Sequence, residues 1–337
     1  MASRRPPITF RRALLSALLL PLALVASGCG GDDDDTQLVP DGGPDATVDA
    51  TVDAGPPREI CVLAAHSVVV LDGTQSGRVT PLRRLGSTTA GEWFADPRAL
   101  VVDSVHDELL VSGPTMIAAY ARTASGAALP LRTQPGVGSR RGQLALDAAR
   151  DELFTLTSPT ITVVSRTTGA TLRALTVQGT TATGPSALAA LALDGGHDEL
   201  VVSSIDGLRV VPRTATGTTA AARTQTLRAG LSGGTVALDL EHDDLYVMVT
   251  TPDLEPVPHL LAFPRTASGT TAAASELSAF MRRIFAVDSV RGEIYLLGDG
   301  KLEVHPLRPT GASPPPRRVL EADDLVGAID LAVCPAR

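Results

Sequence analysis

Residues 103–111 read DSVHDELLV, and the phrase returns as DAARDELFT from Asp147, DGGHDELVV from Asp194, DLEHDDLYV from Asp239 and DSVRGEIYL from Asp288. With each Asp taken as position zero, the steps between copies run from 44 to 49 residues. Position five is always acidic (Glu108, Glu152, Glu199, Asp244, Glu293), and position three is His106, Arg150, His197, His242 or Arg291. A period of about 40–50 residues with strand-like content is the mark of a propeller or a similar array.

Each unit carries four strand signals. Before the Asp stand large-small-large triplets such as Leu144-Ala145-Leu146, and after the acid comes a second apolar run such as LLVSG from Leu109. A tight two-residue turn at positions three and four joins the two into a hairpin, with the Asp at its mouth accepting backbone N–H bonds. Third strands read IAAYAR, ITVVSR, LRVVPR, LLAFPR and LEVHPL, each followed by a turn (RTASG, RTTG, RTATG, RTASG, RPTG) with Gly where positive φ is cheap. A more polar fourth strand such as LPLRTQ suits an outer edge. Four antiparallel strands per unit, the innermost apolar on both faces, describe a propeller blade whose neighbours cover it on either side.

The chain ends complete a sixth unit. LAVCPAR at the C-terminus places Leu331-Ala332-Val333 on the triplet and Cys334 at position zero, while REICVLA puts Glu59 on the acidic position. SVVVLDGTQSG (67–77) and RVTPLRRLG (78–86) supply the third and fourth strands. The expected architecture is all-β: a six-bladed propeller over residues 58–337, closed by N- and C-terminal strands in one blade. With the two-residue turn, positions zero and seven face each other, which sets Cys334 beside Cys61 for a disulfide. The units resemble the NHL and YVTN-type repeats of bacterial six-bladed propellers, including secreted lactonase-like proteins. That resemblance speaks for the fold and says little about activity.

Ahead of the repeats, MASRRPPITFRR and the apolar run Ala13 to Ala26 form a charged n-region and an h-region, so residues 1–28 read as a signal peptide. The run is shorter than the roughly 20 residues of a spanning helix. Cys29 after Ala-Ser-Gly resembles the lipobox of bacterial lipoproteins, which implies lipidation at Cys29 and a membrane attachment through the lipid. Residues 30–57 hold eight Asp and no Lys or Arg among many Gly, Pro, Ala and Thr, the composition of a solvated tether rather than a calcium loop. Gly30 is not the Asp that marks inner-membrane retention in enteric lipoproteins, so the resemblance implies the outer membrane. Without leader and tether, 25 basic and 29 acidic residues remain of the chain's formal −8, a weakly acidic body that argues against nucleic acid.

Residues present in every blade are scaffold candidates first, and His106, His197 and His242, spread around a rim, read as turn residues rather than a metal cluster. Departures from the pattern point to the loops of one face. Trp93 and Phe94 in GEWFADPR are a recognition anchor or a filler between blades. Asp253, Glu255 and His259 sit in the long segment TTPDLEPVPH, a contact loop or neutral length variation. Arg282 and Arg283 are an anion site or solvated cations. No His-Glu-x-x-His occurs, and Cys61 and Cys334 read as structural rather than as members of a Cys-His pair. Lactonases of the resembling architecture hold calcium through Glu, Asn and Asp, and this chain has no Asn. The reading is therefore a monomeric, cofactor-free, envelope-anchored module that binds a protein or glycan ligand through its loop face. The alternative is a divalent-metal-dependent lactonase or related hydrolase, with Asp and Glu as the remaining oxygen ligands for calcium.

Overall fold

The computed structural model describes residues 58–86, 96–138, 144–180, 188–228, 231–251, 258–278, 284–309 and 314–334. These form six antiparallel blades of four strands. Blade 1 runs Asp330–Val333, Glu59–Ala64, Ser67–Asp72 and Arg83–Leu85 from first strand to fourth. Blade 2 is Ala99–Asp103, Glu108–Ser112, Met116–Ala121 and Arg132–Pro135. Blade 3 is Leu144–Asp147, Glu152–Thr157, Thr160–Ser165 and Thr171–Val177. Blade 4 is Leu188–Asp194, Glu199–Ser204, Gly207–Pro212 and Arg223–Thr226. Blade 5 is Ser232–Asp239, Asp244–Thr250, Pro258–Pro264 and Ser275–Ser278. Blade 6 is Ile284–Asp288, Glu293–Gly298, Lys301–Pro306 and Arg318–Glu321. The six first strands touch one another in cyclic order, blade 6 meeting blade 1, so the ring closes as expected.

Six buried clusters hold the ring, each straddling one junction between neighbouring blades. The period of two along a strand explains why one apolar run serves two junctions. In the second strand of blade 4, Leu200 and Val202 pack with Phe154 and Leu156 of blade 3, whereas Val201 packs with Val247 and Leu261 of blade 5. The strand buried most completely is thus the second. First strands, expected to be apolar on both faces, keep half-exposed positions such as Val101, Val102, Leu144 and Leu146 around the ring's axis.

The hairpin between first and second strands differs from the expected two-residue turn. Asp103 pairs with Glu108, and Asp147, Asp194, Asp239 and Asp288 pair likewise with the acid five residues on. Four residues lie between the pair. Position four closes the turn in the left-handed region, with φ of 56° at Asp107, 56° at Asp151, 54° at Asp198, 59° at Asp243 and 64° at Gly292, which is why only Asp and Gly occur there. Position zero accepts the backbone N–H of position three in all five copies.

The same register shift relocates the latch. Cys334 stands level with Glu59, its N–H donating to the Glu59 carbonyl at 2.9 Å, while Cys61 pairs with Ala332. The disulfide between Cys61 and Cys334 therefore runs diagonally across the strand pair, with Cα atoms 6.3 Å apart, rather than between facing residues. Both ends of the chain remain bolted into one blade.

Outer edges are covered by the neighbour. In four blades the glycine turn after the third strand reaches back to the fourth strand of the preceding blade in parallel: Gly126 onto Leu85, Gly217–Thr219 onto Leu175–Val177, Gly269 onto Gln225, and Gly77–Arg78 onto Leu320–Glu321. These turns consume hydrogen-bonding groups that an open edge would present to other chains.

Because the disulfide closes a loop with a sequence separation of 273, the chain-entropy model gives it up to about 5.6 kcal/mol. The C61S/C334S double variant is expected to unfold at clearly lower denaturant with the fold retained in buffer. Thiol counting on the denatured, oxidised protein should find neither of these two cysteines free.

Candidate functional site

The residues that recur in every blade assemble into a belt on the face of the first-to-second-strand turns. In five blades an Arg on the fourth strand bridges to the position-five acid of its own blade: Arg83 to Glu59 at 2.5 and 2.8 Å, Arg132 to Glu108 at 2.5 and 2.6 Å, Arg173 to Glu152, Arg223 to Glu199 and Arg318 to Glu293. A second Arg, just past the third strand of the next blade, comes from the other side. Arg166 of blade 3 contacts Glu108 at 2.7 Å and Asp103 at 3.0 Å of blade 2. Arg213 clasps Glu152, Arg265 reaches Asp194 at 3.1 Å, and Arg308 chelates Asp244 at 2.5 and 2.7 Å. At the ring's seam Arg58 of blade 1 takes this role on Asp288 of blade 6 at 2.5 Å.

The Arg past the third strand is itself held by the turn of its own blade. Arg122, Arg213 and Arg265 lie 2.9, 2.8 and 2.6 Å from Asp107, Asp198 and Asp243 at position four. The histidines complete the turns, Nδ1 of His106, His197 and His242 lying 2.9, 3.0 and 2.8 Å from the Asp of its own phrase. The Asp, the His or Arg and the acid are all engaged inside the scaffold. Two blades deviate: Cys334 replaces the Asp in blade 1, and in blade 5 Ser275 occupies the fourth-strand position that carries Arg elsewhere, leaving Arg308 of blade 6 to clasp Asp244.

Electrostatics follow from this geometry. Hydrogen bonds from Arg173 and Arg213 outweigh burial and hold Glu152 below the ordinary carboxylate range. Burial would raise Glu293, yet Arg318 and the Tyr295 hydroxyl at 2.9 Å bring its pKa down as well. Asp330 is the contrary case. It opens the first strand of blade 1, at the end of the axis opposite the belt, and accepts the backbone N–H groups of Leu100 in blade 2 and Leu331 at 2.8 and 2.9 Å. The residue as a whole is half-buried but its carboxyl is enclosed, and burial pushes that group up to about 7, partly offset by the two N–H donors.

Of the sequence candidates, His259 lies within the third strand of blade 5, opposite Ser278, with Nδ1 2.9 Å from Glu276 Oε1. Trp93, Phe94, Asp253, Glu255, Arg282, Arg283 and Cys29 lie outside the described residues. Among the described residues no group of three or more His, Cys, Asp or Glu is gathered as a metal ion requires. Sequence reading missed three features: the cross-blade role of Arg166, Arg213, Arg265 and Arg308, the enclosed Asp330, and a cleft of about 710 Å³ between blades 4 and 5. The recurrent Arg opening each RTASG-type turn was a visible signal for the first. Asp330, the acid four residues before position zero where Ala99 and Ala190 stand in blades 2 and 4, was a weaker one.

No protein-family model matches the chain, and no curated protein does. Among solved structures it is similar to a protein of unknown function from Bacteroides caccae (TM-score 0.55, 11% identity, 83% of this chain and 100% of that one). It is also similar to the WD40 beta propeller domain of Doa1 (TM-score 0.48, 13% identity, 73% of this chain and 75% of that one). At these identities the likeness concerns the fold alone.

Two stability measurements follow. Arg213→Ala leaves Glu152 with one of its two guanidinium partners and uncovers a buried carboxylate, an expected loss of about 3–5 kcal/mol by denaturation. In pH, Glu152 and Glu293 have folded pKa values below their unfolded ones, so their contribution is complete above the ordinary Glu range and lost as pH falls through the depressed values. Asp330 works in the other direction: with its folded pKa raised to about 7, folding is penalised increasingly as pH rises from the ordinary Asp range through 7. Asp330→Asn should therefore raise the melting midpoint at pH 8 and leave it nearly unchanged at pH 4. An equal shift at both pH values would contradict the assignment.

Proposed function

We propose that the chain is an envelope lipoprotein, lipidated at Cys29, whose six-bladed propeller acts as a non-catalytic binding or scaffolding module for a protein or glycan ligand. The observation that carries this reading is the belt. The acids, histidines and arginines that recur through the blades are engaged in turns and blade junctions, so recognition falls to the loops that vary from blade to blade. A propeller presents such loops on a rigid ring, which suits binding because little ordering entropy is lost on contact. The leader, the lipobox resemblance and the Asp-rich composition of residues 30–57 support the localisation.

In the native host, Cys29→Ser is expected to move the protein from the membrane fraction to the soluble one while the propeller's melting midpoint stays the same. Crosslinking the anchored protein in cells should recover a selective partner, lost on combined substitution of Trp93, Asp253 and Arg282. A melt in EDTA and then in millimolar calcium addresses the metal-dependent alternative. A native metal at 100 times its Kd would add about 2.7 kcal/mol, so the binding-module reading expects no shift. A calcium-dependent rise, together with lactone hydrolysis abolished by loop-face acid substitutions, would overturn it.

A further inference from the structure

Two turns of nearly the same sequence, TGTTAAA at 216–222 and SGTTAAA at 268–274, dock differently on the blades before them. In the first, Gly217–Thr219 zips onto Leu175–Val177 of blade 3, and Gln178 N–H extends the pairing to the Thr219 carbonyl at 2.7 Å. In the second, a single bridge joins Gly269 to Gln225 of blade 4. The Thr271 carbonyl, equivalent to that of Thr219, accepts instead from the Gln225 side-chain amide at 2.8 Å. The edge of blade 3 offers the buried Leu175 and Val177 where blade 4 offers Gln225 and Leu227, so the second turn is held by an amide rather than packed down.

Along the outer flank between blades 4 and 5 lies a cleft of about 710 Å³, which reaches through Arg228 and Leu231 into the connection from the fourth strand of blade 4 to the first strand of blade 5. Leu227, Leu231, Leu261 and Phe263 form its apolar floor, the Thr270–Ser275 segment its wall, and Arg228 and Glu276 its charged lips. The volume falls in the range of small-molecule sites, which are mostly apolar with a few placed polar groups. Glu276 already lies against His259. Arg228 is exposed and, unlike the belt arginines, makes no ion pair among the described residues. Its guanidinium is the unpaired cation of a cleft that also carries the Glu276 carboxylate, and a planar guanidinium suits a carboxylate or phosphate head.

We propose that this cleft is a binding site for an amphipathic anion, its aliphatic or aromatic body on Leu227, Leu231, Leu261 and Phe263 and its head group on Arg228. The cleft shares the connection between blades 4 and 5 with the loop face but contains none of Trp93, Asp253 and Arg282, so its test and that of the proposed partner binding fail separately. The full chain is titrated by calorimetry with dodecanoate below its micellar concentration, and with dodecanol as the uncharged control. Dodecanoate is expected to bind and dodecanol to bind at least tenfold more weakly. Arg228→Gln, a change at an exposed side chain, should weaken dodecanoate about tenfold and leave dodecanol unaltered. Ala273→Trp, which fills the cleft from its half-buried wall, should abolish binding of both with the melting midpoint retained. If that variant does not fold, Thr270→Trp at the exposed rim serves as the blocking substitution. Absence of dodecanoate binding, binding that survives the blocking variant, or equal affinity for the acid and the alcohol would each overturn the proposal.

Discussion

A carboxylate held between two guanidiniums, one from its own blade and one from the next, is the contact on which the arrangement of the ring depends. Apolar burial supplies most of the attraction between blades, but it is non-directional and would tolerate sliding or tilting of one sheet over another. Glu108, clasped by Arg132 and Arg166, and Glu152, clasped by Arg173 and Arg213, fix the height and rotation of each junction, because a misplaced blade would strand a buried charge. The belt arginines are in turn oriented by the position-four acids and by their own backbone bonds to the turns, so clasp and turn define each other.

The exceptions to the belt show where the ring is closed by other means. At the seam the sequence cannot supply an uninterrupted unit, and Arg58 from the N-terminal side completes the contact to Asp288 while Cys334 replaces the Asp of blade 1 and bonds to Cys61. A covalent link is suited to that place, since a blade assembled from both chain ends is the one whose opening would release the whole ring. In blade 5 the fourth strand carries Ser275 in place of Arg, and on the flank of that same blade the glycine turn meets its neighbour at Gly269 and through Gln225 beside the cleft. The departure from the repeat at Ser275 and the concave surface thus fall on one blade.

Buried second strands, turns closed by hydrogen bonds and, in four blades, an outer edge met by the neighbour's glycine turn occupy the residues that recur. This division is why the repeat is so informative about architecture and so uninformative about ligand. The residues under the strongest structural demand carry the clearest pattern, and those available for recognition carry none.

The sequence by itself determined the number of blades, the strand order within them, the shared blade at the chain ends and the pairing partner of Cys61. Each rests on a period or a residue type with a restricted physical use: alternation for strands, glycine for positive φ, and two cysteines brought to one hairpin by the repeat. It misjudged the register of the hairpin by taking the turn as two residues. Asp107 and its equivalents adopt the left-handed conformation at the end of a four-residue turn, a preference that composition shares with many other turns. Tertiary structure alone decided that Arg166, Arg213, Arg265 and Arg308 belong to acids 58 to 71 residues earlier, because cross-blade contacts follow the packing of sheets rather than spacing along the chain. It also decided that two nearly identical turns would end as one zipped edge and one open cleft, since the difference lies in the edges they meet and not in the turns themselves.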